Sequence, residues 1–500
     1  MCTTCLRYSE TDVNNPDRPA GPVVPTGSDT PAGPVIPAGD AASARRDLIP
    51  LRRATWAWFQ ISLQTFGGPA GQIAVMQRYL VDDKRWIGQK RFLHALNYCM
   101  LLPGPEAQQL AIYTGWLLNG TLGGLIAGVL FVLPGMLAML GLAAIYIAFG
   151  ATTIVLAVFA GIAPAVLAVV IQAVNRVASR AVTRPAHIVI ATVAFLALAM
   201  FAVPFPIVIA VAGLAGWLTS RRSADTQQGH AGGHGGNSDP TVDEQPPLIA
   251  DDDLHAEPPS KRRTVAVLGV GVIAWAIPML AVIVLAGRSS VFAELGVFFS
   301  GTALVTFGGA YAVLAFVAQR AVETYAWLTP GEMIRGLGLA ETTPGPLIMV
   351  VQFVAFLGAY RNPGGLDPWV AATIGALLTT WVTFVPSFVF IFLGAPYIER
   401  LRNNRHLTAA LNGITAAVVG VIANLALYFA VHTLFADVGL TQWGPVTVLT
   451  PHLGSLRPVA IVIAVLAGIM IYRLKWSVLR TLGVCAALGL TAAVAGLPIT

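Results

Sequence analysis

Charge is the first thing this chain lacks. Only 11% of its 500 residues are Asp, Glu, Lys or Arg, where soluble chains carry about a quarter. A water-soluble globule is therefore excluded. Cysteine is scarce too: Cys2, Cys5, Cys99 and Cys485 are all there is, and they give no disulfide framework. Cys2-Thr3-Thr4-Cys5 lacks the second ligand pair that a structural metal site needs, so it reads as part of an unstructured tail. No Gly-x-x-x-x-Gly-Lys-Ser/Thr loop occurs, so no ATP-driven step is read. The N-terminus shows no charged-then-apolar leader, and the first span is expected to direct its own insertion. The formal charge of +6 lies mainly in loops, where it reports topology rather than a nucleic-acid partner. Neither a metal nor an organic cofactor is expected.

Apolar sequence fills the space that charge leaves. Hydrophobic types make up 56% of the chain and the mean hydropathy is +0.72. Runs long enough to cross a bilayer core of roughly 30 Å recur throughout. They fall near 54–77, 92–118, 121–148, 152–174, 186–203, 205–219, 265–286, 291–318, 334–358, 369–393, 407–433, 458–472 and 477–497. The fold expected is an all-α polytopic membrane protein of ten to thirteen transmembrane spans, thirteen if every run crosses. The lipid bilayer is its first partner. Residues 1–50, rich in Pro, Gly, Ala and Thr, form a disordered tail by composition. Residues 220–263 form a polar linker. His230, His234 and His255 lie there among flexible glycine, with Asp251, Asp252 and Asp253, and preform no metal site. The transporter sequence proper is then 51–219 and 264–500.

Those two parts are related. Phe66-Gly67-Gly68-Pro69 and Pro103-Gly104-Pro105 recur, at a uniform offset of 241, as Phe307-Gly308-Gly309 and Pro344-Gly345-Pro346. Trp86/Trp327, Leu63/Leu304, Thr65/Thr306, Leu96/Leu337 and Gly123-Gly124/Gly364-Gly365 keep the same offset. Pro134/Pro386 and Gly161/Gly413 continue the match at 252. The chain is a duplicated unit, and each copy carries two helix-breaking sites inside apolar sequence.

Orientation follows from basic loops. Arg45, Arg46, Arg52 and Arg53 precede the first span, and Arg176, Arg180 and Arg184 follow the fourth. Arg221, Arg222, Lys261, Arg262 and Arg263 sit in the linker. Arg400, Arg402 and Arg405 follow the tenth span, and Arg473, Lys475 and Arg480 the twelfth. Single crossings throughout place all five clusters in the cytoplasm and make the copies inverted repeats, a common transporter plan. One loop disagrees. Residues 78–91, with Arg78, Lys84, Arg85, Lys90 and Arg91, then fall outside. A span at 54–77 that dips in and turns back at Gly67-Gly68-Pro69 would bring that loop inside. Full crossings are the expectation, with re-entry as the alternative.

Proline removes an amide donor, and glycine accepts backbone angles that other residues resist. In hydrocarbon the freed groups must be satisfied by protein or by an aqueous cavity. A helix that restarts after Gly-Gly-Pro or Pro-Gly-Pro points bare N–H groups and about half a positive charge into that cavity, a setting that suits oxyanions. Close helix packing is the competing use of such residues. The candidate anion contacts are the breaks themselves and the polar groups beside them: Gln72, Gln108 and Gln109 in the first copy, Thr342, Thr343 and Gln352 in the second. Glu106 and Glu341 are carboxylates in apolar spans, a default sign of function. Burial favours the neutral carboxyl, which makes them proton-coupling candidates, although either could simply cap free amides. His94 and Arg335 occupy equivalent positions and, with Arg78, Lys84 and Arg85, are candidate anion attractors. Snorkelling or topology marking would equally place them there.

Phe-Gly-Gly-Pro at 66–69, Pro-Gly-Pro at 103–105 followed by Glu106-Ala107-Gln108, and the degenerate second copies resemble the chromate ion transporter family in its long, two-domain form. The resemblance covers roughly 54–433. It implies a carrier in the bacterial inner (plasma) membrane that exports chromate and confers chromate resistance, with sulfate as the look-alike competitor, and it allows a homodimer. The second copy departs from the pattern, reading Gly308-Gly309-Ala310 without the proline. An anion channel and a membrane enzyme are the remaining readings. The enzyme is disfavoured because Asp82-Asp83 is the one acidic pair near a span, and metal-dependent chemistry there needs a second cluster.

Overall fold

A computed structural model describes residues 49–100, 102–223, 248–249, 260–305, 307, 310–394 and 405–498. The N-terminal tail with its Cys pair, the His and Asp residues of the linker, and Thr306, Gly308 and Gly309 lie outside them.

Sixteen α-helices occur among the described residues. The first copy contains α1 (Leu51–Gln64), α2 (Gly68–Gln77), which runs on as a π-helical turn over Arg78–Asp83, α3 (Gln89–Cys99), α4 (Glu106–Phe149) and α5 (Thr153–Ala181). A pair, α6 (Pro185–Phe201) and α7 (Phe205–Ser223), and then α8 (Lys261–Ala286) lead to the second copy. There the same order returns: α9 (Val291–Val305), α10 (Ala310–Gln319) with its own π turn over Arg320–Thr324, α11 (Pro330–Thr342), α12 (Val350–Arg361), α13 (Pro368–Gly394) and α14 (Arg405–Leu434). Two helices follow, α15 (Pro458–Tyr472) and α16 (Val478–Val494).

The expectation that 54–77, 92–118, 291–318 and 334–358 each cross is corrected. Each folds back on itself. The Tyr79 hydroxyl donates to Gln60 Oε1 at 2.7 Å, whereas nineteen residues of continuous helix would separate them by about 28 Å at 1.5 Å per residue. Likewise the rings of Tyr98 and Tyr113 lie 5.9 Å apart across the Pro103–Pro105 break. In the second copy Phe298 meets Phe316 at 5.5 Å and Tyr325 at 5.4 Å, and Glu332 pairs with Arg361 at 2.5 Å. Four helical hairpins result: three turn at Gly67–Pro69, Pro103–Pro105 and Pro344–Pro346, and the other is formed by α9 and α10. The turns are built as their residues require: Gly67 and Gly68 have φ of +80° and +73°, Gly104 +117° and Gly345 +92°, angles that cost other residues steric strain.

Helix α4 reverses once more, at Asn119 and Gly120 (φ +61°). Its first arm then lies against its own long arm, with Gly115 close to Ala127 and the Gly123 carbonyl. Among the described residues, the long arm and α5, α8, α13 and α14 are long and apolar enough to span a bilayer, and α6, α7, α15 and α16 are shorter apolar helices. Helix α8 has no buried residue and presents Val265, Leu268, Val270 and Ile273 outward, as a lipid-facing helix must.

One element escaped the all-α expectation: a β-hairpin, β1 (Val438–Trp443) paired antiparallel with β2 (Val446–Pro451). It turns at Gly444-Pro445, where Gly444 has φ +60°. Among the described residues it is the only sheet.

Candidate anion-binding site

Three of the four tips meet around one cavity of about 160 Å³. Pro69, Ala70 and Ile73 come from the start of α2, Met100 and Glu106 from either side of the Pro103–Pro105 turn, and Ala310 and Tyr311 from the start of α10. Helix α14 contributes Thr415 and Ile422. The first turns of α2, α4 and α10 thus border one small space. First-turn amides have no partner inside their own helix, so three positive dipole ends border it.

Two guanidinium groups complete the wall. Ala173, Arg176, Val177 and Arg180 of α5 line the cavity; a spacing of four puts the arginines on one face of the helix. Arg180 is an electrostatic neighbour of Glu106, and Arg176 of both Tyr311 and Glu341. With the fourth span expected to end at 174, Arg176 and Arg180 fall by sequence in a cytoplasmic loop. Helix α5 in fact continues to Ala181. The signal that would have found them is the four-residue spacing of two cations on a continuing helical pattern.

Several other candidates serve the scaffold. Gln72 is buried, and its amide donates to the Gly345 carbonyl at 2.5 Å; the Gly345 amide returns to the Thr65 carbonyl at 2.9 Å. The Pro344–Pro346 tip is thereby tied behind the first tip and is not on the cavity wall. Gln352 donates to the Met136 carbonyl. Thr342 and Thr343 close onto the carbonyls of Leu339 and Ala340. Gln109 caps its own turn by donating to the Pro103 carbonyl at 2.6 Å. Gln108 is buried with neither amide atom bonded and does not line the cavity.

The proposed attractors lie elsewhere. Arg78 donates to Gln64 at 3.3 Å, Lys84 sits over the Tyr79 ring, and Arg85 occupies a turn with φ +50°. His94 is exposed on α3. Arg335 donates to the Tyr146 hydroxyl at 3.1 Å and lies over Phe159. None of the five lines the cavity.

A family model described as chromate transporter matches residues 52–217 and 293–490. The chain belongs to that family. It is 32% identical over 374 residues to a chromate transport protein of Pseudomonas aeruginosa, covering 73% of this chain and 77% of the relative. It is 26% identical over 429 residues to a chromate transport protein of Cupriavidus metallidurans, covering 85% and 94%. No solved structure matches it. The matched segments contain both pairs of breaks and both cavity arginines, and they omit α8. A cavity of helix N-termini and guanidinium groups inside a multi-pass membrane protein is suited to hold an oxyanion by hydrogen bonds and charge together.

Proposed function

We propose that this protein carries chromate out of the cytoplasm across the inner membrane of a bacterial cell and so confers chromate resistance. The observation that carries this reading is the cavity where the starts of α2, α4 and α10 face Arg176 and Arg180. A tetrahedral dianion placed there would receive amide and guanidinium donors from several directions.

Topology supports the direction. If each hairpin returns to its side of entry, the start of α1, the loop at 84–88 and the turn at 119–120 share one face. The starts of α6 and α8 and the turn at 473–477 fall on the same face. Arg52, Arg53, Lys84, Arg85, Lys90, Arg91, Arg184, Lys261, Arg262, Arg263, Arg473 and Lys475 then lie together, and the basic loop at 78–91 no longer conflicts with the others. Such a face is cytoplasmic by the charge rule. Glu294, Glu323, Glu332, Asp367 and Asp437 fall on the opposite face. Five crossings, the long arm of α4 and α5 to α8, separate the start of α1 from that of α9, so the copies are inverted. Nine crossing helices and four re-entrant hairpins replace thirteen spans. Arg180 stands one residue from the cytoplasmic end of α5, so the cavity opens inward.

Export needs no ATP. Moving one charge through 100 mV is worth about 2.3 kcal/mol, so a departing dianion gains roughly 4.6 from an interior-negative potential. Sulfate has the same charge and shape and is the expected competitor.

Everted vesicles test the reading: chromate should accumulate under an imposed interior-positive potential, and sulfate should compete. Arg176→Ala or Arg180→Ala should weaken chromate binding about ten- to hundredfold, the loss of one charge-assisted hydrogen bond. Sulfate accumulation that chromate does not inhibit would reassign the cargo. Full chromate flux in both variants would move the site elsewhere.

A further inference from the structure

The two copies differ where it matters at the cavity wall. Tyr311 and Glu341 of the second copy stand where the first has Ala70 and Met100. The Tyr311 hydroxyl donates to Glu341 Oε1 at 2.7 Å. Glu341 is buried, and its Oε2 has no hydrogen-bond partner. Tyr311 also lines the cavity, its oxygen 3.7 Å from where a β-carbon on Gly68 would stand. One hydroxyl therefore lies between a buried carboxylate and the space offered to the anion.

The surroundings of this dyad are few. From α5 Arg176 faces both members, and Arg180 shares the cavity. From α4 comes Glu106, beside Arg180. The α2 residues Pro69, Ala70 and Ile73, and Thr415 and Ile422 of α14, bring no formal charge.

A tyrosine hydroxyl has one proton to donate, and its oxygen can accept; a carboxylate only accepts until it is protonated. With Glu341 ionised, the Tyr311 proton is committed to Oε1. The cavity then meets lone pairs that repel an oxyanion, while the carboxylate competes for Arg176. With Glu341 protonated, its O–H donates to the Tyr311 oxygen, and the Tyr311 O–H is free to turn into the cavity. Only hydrogen bonds are exchanged; one proton from solvent comes to rest on Glu341, and Tyr311 keeps its own.

We propose that the Tyr311–Glu341 dyad couples oxyanion binding to the uptake of one proton, with Tyr311 donating to the bound ion when Glu341 is neutral. This rests on the reading of the cavity as the oxyanion site. It makes the second copy the proton-sensing half of the carrier, and it halves the net charge that moves if the proton leaves with the dianion.

The test is chromate binding to the purified full-length protein across an alkaline pH series in which chromate stays a dianion, with proton uptake followed by an indicator dye in weak buffer. Wild type should take up about one proton per ion, and its Kd should rise about tenfold per pH unit. Glu341→Gln, whose amide always donates to Tyr311, should bind with no proton uptake and a flat Kd. Tyr311→Phe should bind about tenfold more weakly at the lowest pH, having lost one donor. Chromate binding by wild type without proton uptake overturns the dyad, whether or not the variants fold, and leaves the carrier reading standing. Wild-type uptake retained in Glu341→Gln, or wild-type affinity in Tyr311→Phe, overturns it as well. No chromate binding at any pH overturns both.

Discussion

The backbone amide of Gly345 donates to the carbonyl of Thr65, 280 positions away in sequence, at 2.9 Å. Gln72 closes the pair by donating to the Gly345 carbonyl. The second break of one copy is thus bonded to the first break of the other. Groups freed by a helix break in a membrane must find partners somewhere; these two breaks find each other.

Removing that tie should cost stability before it costs binding. Gln72→Leu strips the Gly345 carbonyl of its side-chain donor in a buried place, a loss of about 1–3 kcal/mol. Thermal unfolding of the purified protein should show a lowered Tm, with chromate affinity close to wild type in the fraction that remains folded.

The other proline-glycine-proline turn should tolerate no side chain. Gly104 has φ +117°, and a β-carbon there would stand 2.9 Å from both Gln109 Nε2 and Ser387 Oγ. Gly104→Leu should abolish chromate resistance while protein still reaches the membrane, as immunoblots of membrane fractions would show. Normal resistance would mean that the turn is free to rearrange.

Cysteine labelling distinguishes returning hairpins from crossing ones. In a background without the native cysteines, Lys84→Cys should resist a membrane-impermeant maleimide in intact cells and react in everted vesicles. Asp437→Cys, beside the β-hairpin, should do the reverse. Labelling of Lys84→Cys from outside intact cells would restore the full crossing at 54–77.

Acid should loosen the outer end of the α11–α12 hairpin. Burial pushes the Glu332 carboxyl up, but the Arg361 guanidinium and the Thr329 cap outweigh it and hold it below the usual carboxylate range. A depressed native pKa contributes stability that is present above the unfolded value of about 4.3 and is lost as pH falls through the native one. Wild type should therefore lose stability on acidification over that range, and Glu332→Gln should lose less, as parallel melts at neutral and acidic pH would show. Equal pH dependence in both would place the sensitivity elsewhere.

Composition alone dictated a membrane protein, because so little charge leaves water no surface to solvate. The offset of 241 likewise made the duplication and the four breaks legible, since proline and glycine act on the backbone wherever they stand. The direction in which the chain leaves a break is another matter. Thr65 to Pro69 can join two collinear helices or two antiparallel ones with the same local chemistry, and the choice falls to distant contacts such as Tyr79 with Gln60 and Phe298 with Phe316. The same holds for charge. Arg176 and Arg180 look in sequence like any cytoplasmic cluster, because a cation that faces a cavity and one that marks a helix end share the same address along the chain. Only the tertiary fold, which sets the starts of α2, α4 and α10 around the cavity that this turn of α5 lines, separates the two roles.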